Sequence, residues 1–271
     1  MKGYGIQNQM IFCRHLNQFD VVNDADLDKI LCYPNPLSQE CSKRLEEVKS
    51  LGIKAIFNYG SIKIGKLSVI GKGHAGIVTL AYHNLYGYVA LKIRRIDSKR
   101  DSLRQEALIM KLAEDVNGIP RVYDYTDNFI VREYIDGYIL RDYISNNIDS
   151  QRLRILLISL IELFYKLDIR GIDVEEIRNP LKQIVVRCDD PRNVYIIDLE
   201  SARIRKNSNN LPRVLSFILN GKIGDKYVYE IIDLGYNHRK TLLLYATMYK
   251  RGSNEERREM ANRIIDVILG Q

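Results

Sequence analysis

The hydrophobic positions change their period twice along the chain. Residues 1–36 show no sustained period and close on Tyr33-Pro34-Asn35-Pro36, a loop signal. Ser38 then reads as a helix N-cap, with Cys41, Leu45, Val48 and Leu51 on one apolar face and Gly52 as the stop. From Ile53 to Arg95 the spacing falls to short apolar or alternating runs (55–59, 66–70, 77–82 and 88–93) punctuated by Gly and Asn, the pattern of an antiparallel sheet. A helix capped by Asp101 or Ser102 follows, its apolar side assigned to Leu103, Ala107, Leu108, Met110 and Leu112, and Gly118-Ile119-Pro120 ends it. Two further strands are predicted over 121–125 and 128–134, with a turn at Asp136-Gly137.

Beyond Leu140 the helical period dominates. Helices are predicted over 140–148 and 151–170. In the second, Leu153, Leu156, Leu157, Leu160, Ile161, Phe164 and Leu167 keep helical spacing almost without a break, which suits a buried central helix. A strand-loop-strand segment (184–186 and 194–198) precedes a tail of three or four helices from about Pro212. The pattern gives a partly helical N-terminal extension over 1–52, a small mainly β lobe over 53–135 and a larger mainly α lobe over 136–271.

Composition narrows the class. No apolar run reaches the roughly 18 residues that would cross a bilayer, and the first twenty residues lack the continuous apolar stretch of a secretory signal. The expectation is a cytoplasmic protein with no membrane partner. Four cysteines, Cys13, Cys32, Cys41 and Cys188, form no C-x-x-C pair and have no His at ligand spacing, so they read as reduced thiols. A net charge of +7 suits an anionic partner. Six cations crowd residues 92–104 (Lys92, Arg94, Arg95, Lys99, Arg100, Arg104), either as a solvated helix start or as a patch for RNA.

The chemistry concentrates in GKGHAGIVTLAYHNLYGYVALK, residues 71–92. Gly71, Gly73 and Gly76 are spaced G-x-G-x-x-G, followed by the β-branched Val78, and Lys92 closes an apolar run fourteen residues after it. Glycines so placed let backbone N–H groups approach phosphate oxygens that a Cβ would hold off. A dinucleotide fold needs a helix directly after the glycines, whereas residues 77–82 read as strand, so the loop is predicted as a hairpin lid. Glu106, on the next helix and fourteen residues past Lys92, is placed to pair with it. Asp198 ends an apolar strand, where a carboxylate can hold Mg²⁺.

GKGHAGIV, VALK, a helical Glu, REYIDG and IIDLESA, in that order, resemble the motifs of a eukaryotic-type protein kinase. More closely the chain resembles the minimal archaeal Ser/Thr kinases of the RIO-like branch, over about residues 60–220. The resemblance implies an α+β, protein kinase-like two-lobed fold: a small antiparallel β lobe, a larger helical lobe and no full activation segment. It implies ATP and Mg²⁺ as cofactors and a protein substrate. Gly71, Lys72, Gly73, Gly76, Val78, Ala90 and Lys92 would surround the nucleotide, Glu106 would hold Lys92, and Glu133, Tyr134 and Ile135 would form the hinge against adenine. Asp198 and Gln183 would hold the metal.

The departures lie in GIDVEEIRNPLKQ, where kinases carry H-R-D and, five residues on, Asn. With Gln183 in the Asn position the loop acid is Glu176; Asp173, Asn179 and Glu175 are its alternatives. Glu in place of Asp keeps a proton acceptor. The altered loop also admits a nucleotide-binding pseudokinase or slow ATPase that docks through its basic face on RNA, a ribosome precursor or a protein. A small-molecule kinase is a third reading, kept open by the short segment after Asp198.

Overall fold

The computed structural model describes residues 19–145, 148–175, 177 and 180–270. It divides into two compact units, residues 1–111 with 120–135, and residues 112–119 with 136–271. Helices and antiparallel strands are mixed in both, an α+β architecture.

The first unit runs Asp20–Val21 (β1), Asp24–Leu31 (α1), Cys41–Ser50 (α2), Ile53–Asn58 (β2), Ile62–Ile64 (β3), Leu67–Val69 (β4), Gly71–Lys72 (β5), Gly76–His83 (β6), Gly87–Arg94 (β7), Arg104–Leu112 (α3), Val122–Tyr125 (β8) and Phe129–Glu133 (β9). Its seven-stranded sheet has the order β1-β2-β6-β7-β9-β8, with β5 paired to β6 and every pairing antiparallel. Register sorts the side chains into two faces, because directly opposed residues point the same way. The rows Ile77–Ile93–Phe129 and Thr79–Leu91–Val131 lie on one face; Val78–Lys92–Ile130 and Leu80–Ala90–Arg132 lie on the other.

The N-terminal extension covers the first face. Val22, Ile30, Leu31, Val48 and Leu51 share one core with Ile77, Ala81, Val89, Leu91, Ile93, Phe129 and Val131. Residues 33–36 are loop as expected, and the helical part of the extension before them is α1, too short for its period to stand out among Asp24, Asp26 and Asp28. α2 starts at Cys41, and Ser38 Oγ accepts from the Glu40 amide at 3.3 Å. The buried face of α2 carries a charge the pattern did not anticipate. Arg44, 1% exposed, donates to the carbonyls of Leu31 (2.8 Å) and Arg94 (2.6 Å) and to Asn128 Oδ1 (3.1 Å). One guanidinium thus ties the extension to the end of β7 and to the residue before β9, and burial pulls its pKa below the ordinary arginine value.

The reduced-thiol expectation is corrected as well. Cys32 and Cys41 form a disulfide across the α1–α2 connection, their Cα atoms 5.8 Å apart, and Cys188 is also disulfide-bonded. Cys32 and Cys41 are nine positions apart in sequence, and the reversal of the chain after α1 brings them together; a search for C-x-x-C spacing misses this. Cys13 lies outside the described residues.

The second unit contains Gly137–Ile139 (β10), Leu140–Ser145 (α4), Ser150–Ile169 (α5), Ile172–Val174 (β11), a 3₁₀ turn at Pro180–Lys182, Ile184–Arg187 (β12), Val194–Ile196 (β13), Ala202–Ile204 (β14), Asn210–Asn220 (α6), Lys222–Ile223 (β15), Lys226–Tyr227 (β16), Val228–Ile231 (α7), Tyr236–Arg251 (α8) and Asn254–Leu269 (α9). The predicted central helix is α5: Asp149 caps it by accepting from the Arg152 amide at 2.8 Å, and all seven apolar positions named above are buried. Truncating one of these leucines to Ala removes roughly 2–5 kcal/mol. Asp136-Gly137, expected as a turn, instead leads into β10, which pairs with β12; a Cβ on Gly137 would lie 2.2 Å from the Val186 carbonyl oxygen. Among the described residues no helix is long and apolar enough to cross a membrane.

Candidate functional site

In the first unit the glycine segment is a hairpin. Gly71 pairs with Val78 and Lys72 with Ile77, and the Gly73 amide donates to the Gly76 carbonyl at 2.8 Å. The three glycines differ in what the protein asks of them. A Cβ on Gly76 would lie 2.7 Å from the Ile93 carbonyl oxygen, so β7 itself requires that glycine. A Cβ on Gly71 or Gly73 would meet only ordinary contacts, at 3.5 and 3.6 Å, and neither residue has a positive φ. Nothing within the described protein explains why those two positions lack a side chain.

Lys92 and Glu106 meet as the spacing predicted. The ammonium donates to Oε1 at 2.8 Å and Oε2 at 2.6 Å, and the two residues are 5% and 3% exposed. This pair reshapes α3. Its buried side is Glu106, Ala107, Ile109 and Met110, while Leu108 and Leu112, expected inside, are 49% and 62% exposed. Ser102 does act at the start of this helix, accepting from the Arg104 amide at 3.0 Å. Desolvating two charges costs several kcal/mol per ion before their attraction is counted. A buried pair under a glycine hairpin is thus better explained by use than by stability alone.

The apolar candidates of the same sheet face also converge. Ala90 and Tyr134 are buried with Leu80 and Phe57, and Val78 and Ile70 pack against them. Tyr134 reaches the Tyr59 hydroxyl at 3.1 Å, and Ile135 is buried. Glu133 ends β9, its amide donating to the Arg121 carbonyl at 2.8 Å. Much of the basic run is taken up internally: Lys92 by Glu106, Arg94 by Asn128 (2.9 Å), Arg95 by Asp97 (2.6 Å) and Arg104 by Asp127 (2.8 Å).

In the second unit β12 and β13 bring Gln183 and Asp198 to the same end of a strand pair. The Ile197 amide donates to the Gln183 carbonyl at 2.9 Å, so the two residues flank one backbone bond, and Asp198 Oδ1 accepts from the Glu200 amide at 3.1 Å. The side-chain Oε1 of Gln183 is buried and has no hydrogen-bond partner among the described residues. Amide and carboxylate oxygens are hard donors of the kind Mg²⁺ takes, so the chemistry of Gln183 and Asp198 is compatible with that ion.

The loop acids are separated by their partners. Asp173, 1% exposed on β11, has both carboxylate oxygens engaged by Arg213, with Arg205 at 3.7 Å. Glu175, at the exit of β11, pairs with Arg205, and Arg203 lies 3.9 Å away. Glu176 and Asn179 lie outside the described residues.

What the sequence reading missed is the polar cluster that fixes β11. Asn210, fully buried, accepts from the Val174 amide at 2.8 Å and donates to the Ile172 carbonyl at 2.6 Å. Asp168 accepts from the amides of Asn210 (2.7 Å) and Leu211 (3.0 Å) and from the Tyr249 hydroxyl (2.9 Å). Burial pushes the Asp168 carboxyl above the usual carboxylate range against the pull of these donors. Burial and the neighbouring carboxylate raise the Tyr249 phenol too. A signal existed: Asp168 lies four residues after Phe164, on the apolar stripe of α5, and a carboxylate at such a position needs buried donors.

No protein-family model matches the chain. An uncharacterized protein of Methanocaldococcus jannaschii is 27% identical to it over 107 residues, 39% of this chain and 88% of that protein.

Proposed function

We propose that the chain is an ATP- and Mg²⁺-dependent kinase-like phosphotransferase, acting in the cytoplasm on a protein hydroxyl. The observation that carries the reading is the buried Lys92–Glu106 pair on the sheet that bears a glycine hairpin. Gly71 and Gly73 support it, because a ligand that must approach the backbone explains the missing side chains. In this reading the amides of 71–76 and the Lys92 ammonium bind the phosphates of ATP, and Glu106 orients that ammonium. Val78, Ala90 and the hinge residues Glu133, Tyr134 and Ile135 take the base.

Asp198 and Gln183 would hold Mg²⁺, which neutralises phosphate charge when bound. Since Arg213 engages both oxygens of Asp173, we assign that residue to anchoring β11 and Glu176 to orienting the acceptor hydroxyl and taking its proton. Intracellular disulfides are documented in hyperthermophiles, and a composition without Trp and rich in Tyr is compatible with such a source.

The test is transfer of labelled γ-phosphate from ATP to the protein itself or to a generic acceptor. Wild type is expected to transfer. Asp198→Ala should lose at least about a hundredfold in rate while still binding nucleotide. Equal transfer by the two proteins overturns the metal assignment. Nucleotide binding by wild type without any transfer overturns the kinase reading in favour of an ATP-binding docking module.

A further inference from the structure

The hairpin of residues 71–76 does not stand alone; its tip is held from the N-terminal extension. Arg95, one residue beyond β7, makes three kinds of contact with its surroundings. Its amide donates to the Ala75 carbonyl at 2.9 Å, and its Nη1 donates to the Gly73 carbonyl at 3.2 Å. Its guanidinium grips Asp97 through Nε at 2.8 Å and Nη2 at 2.6 Å. The same guanidinium lies over the Tyr33 ring, Cζ 5.1 Å from the centroid, and Lys72 Nζ lies 5.0 Å from that centroid. One ring therefore carries two cations, both belonging to the glycine hairpin or bonded to it.

The ring is itself fixed on both sides. The Tyr33 carbonyl accepts from the Ile96 amide at 3.0 Å. Arg44 joins the preceding turn to the same strand end, donating to Leu31 and Arg94 together. Cys32, next to Tyr33, is bridged to Cys41. Two like charges over one ring repel each other; the π face and the Asp97 carboxylate offset that repulsion. The cost of this arrangement makes sense if the position of the tip matters.

We infer that Tyr33 and Arg95 are positioning residues for the phosphate loop: the extension supplies an aromatic seat that holds the tip, through Lys72 and Gly73, ready for a nucleotide. The inference rests on the nucleotide reading for its purpose but not for its geometry, and its test separates the two. Tyr33→Leu keeps the apolar bulk and removes the π face; Tyr33→Phe keeps the ring. Amide hydrogen exchange of the peptide 71–78 is measured without nucleotide, and ATP affinity and the split between KM and kcat are measured on the same proteins.

A cation–π contact of this exposure corresponds to about a fivefold effect. Tyr33→Leu and Arg95→Gln should exchange about fivefold faster over 71–78 and raise Kd and KM for ATP by a similar factor at unchanged kcat, with Tyr33→Phe restoring wild-type values. Wild-type exchange in Tyr33→Leu and Arg95→Gln alike overturns the seat. Faster exchange at unchanged ATP affinity overturns its functional purpose. Faster exchange in a chain whose wild type binds no nucleotide leaves the seat standing and overturns the nucleotide reading instead.

Discussion

The two units bury charge in opposite ways. In the first, a cation on a central strand, Lys92, is paired with an acid from a helix, Glu106, at 2.6 Å. In the second, an acid on a short strand is met by two guanidiniums, Asp173 with Arg213 and Arg205, and the strand is further clamped by Asn210 and Asp168. An ammonium on a flexible four-carbon stem can be reoriented toward a ligand; a carboxylate engaged through both oxygens by Arg213 has become part of the scaffold. Burial of a charge is therefore not by itself the mark of chemistry, and the number and geometry of its partners decide.

The comparison can be broken most sharply at Lys92. Lys92→Met should abolish phosphoryl transfer, by a factor of at least about a hundred, and also destabilise the protein by roughly 3–5 kcal/mol because Glu106 is left buried and unpaired. The double variant Lys92→Met/Glu106→Leu should recover most of that stability in urea unfolding while remaining inactive. Recovery of transfer along with stability would show that the pair is scaffold, like Asp173.

Next comes Asp168, where the effect should fall on the fold. Asp168→Ala orphans two amides and the Tyr249 hydroxyl, at about 1–3 kcal/mol per buried group, so a loss of several kcal/mol is expected in the same unfolding measurement. The raised carboxyl also has a pH signature. A folded-state pKa above the unfolded one means that the native state binds the proton more tightly, so this group's contribution falls as pH rises from near 3.8 through the folded value. Subtracting the Asp168→Asn profile from wild type should leave that downward slope; a flat difference would mean that Asp168 titrates as in the unfolded chain.

The smallest contrast lies within the glycine hairpin. Gly76→Ala meets the Ile93 carbonyl oxygen at 2.7 Å and should cost about 1–3 kcal/mol. Gly73→Ala has room and should leave the unfolding midpoint nearly unchanged while weakening ATP binding severalfold, readable by calorimetric titration. Equal affinity for Gly73→Ala and wild type would remove the ligand-based reason for that glycine.

Much of the first unit was legible because its information is local. Strands over 77–82 and 88–93 announce themselves by period, the G-x-G-x-x-G spacing marks the turn, and α5 declares its buried face through seven apolar residues at helical intervals. The pairing of Lys92 with Glu106 was expected from the motif resemblance, since a lone helical glutamate is by default a surface residue. The expected apolar face of α3 was misread at Leu108 and Leu112, because apolar spacing cannot show that a carboxylate will be the residue turned inward.

By itself, then, the sequence determined the strands around the glycine hairpin, the helix that bears Glu106, the central helix α5 and the positions of Asp198 and Gln183 at strand ends, but not α1 or β10. Tertiary structure alone decided which polar residues are buried together. The Cys32–Cys41 bridge, the Arg44 anchor, the Tyr33 seat and the Asp168–Asn210 clamp on β11 join residues 9 to 84 positions apart. Their partners are fixed by how helices pack on strands, and hydrophobic periodicity is silent about polar atoms that meet only after that packing is complete.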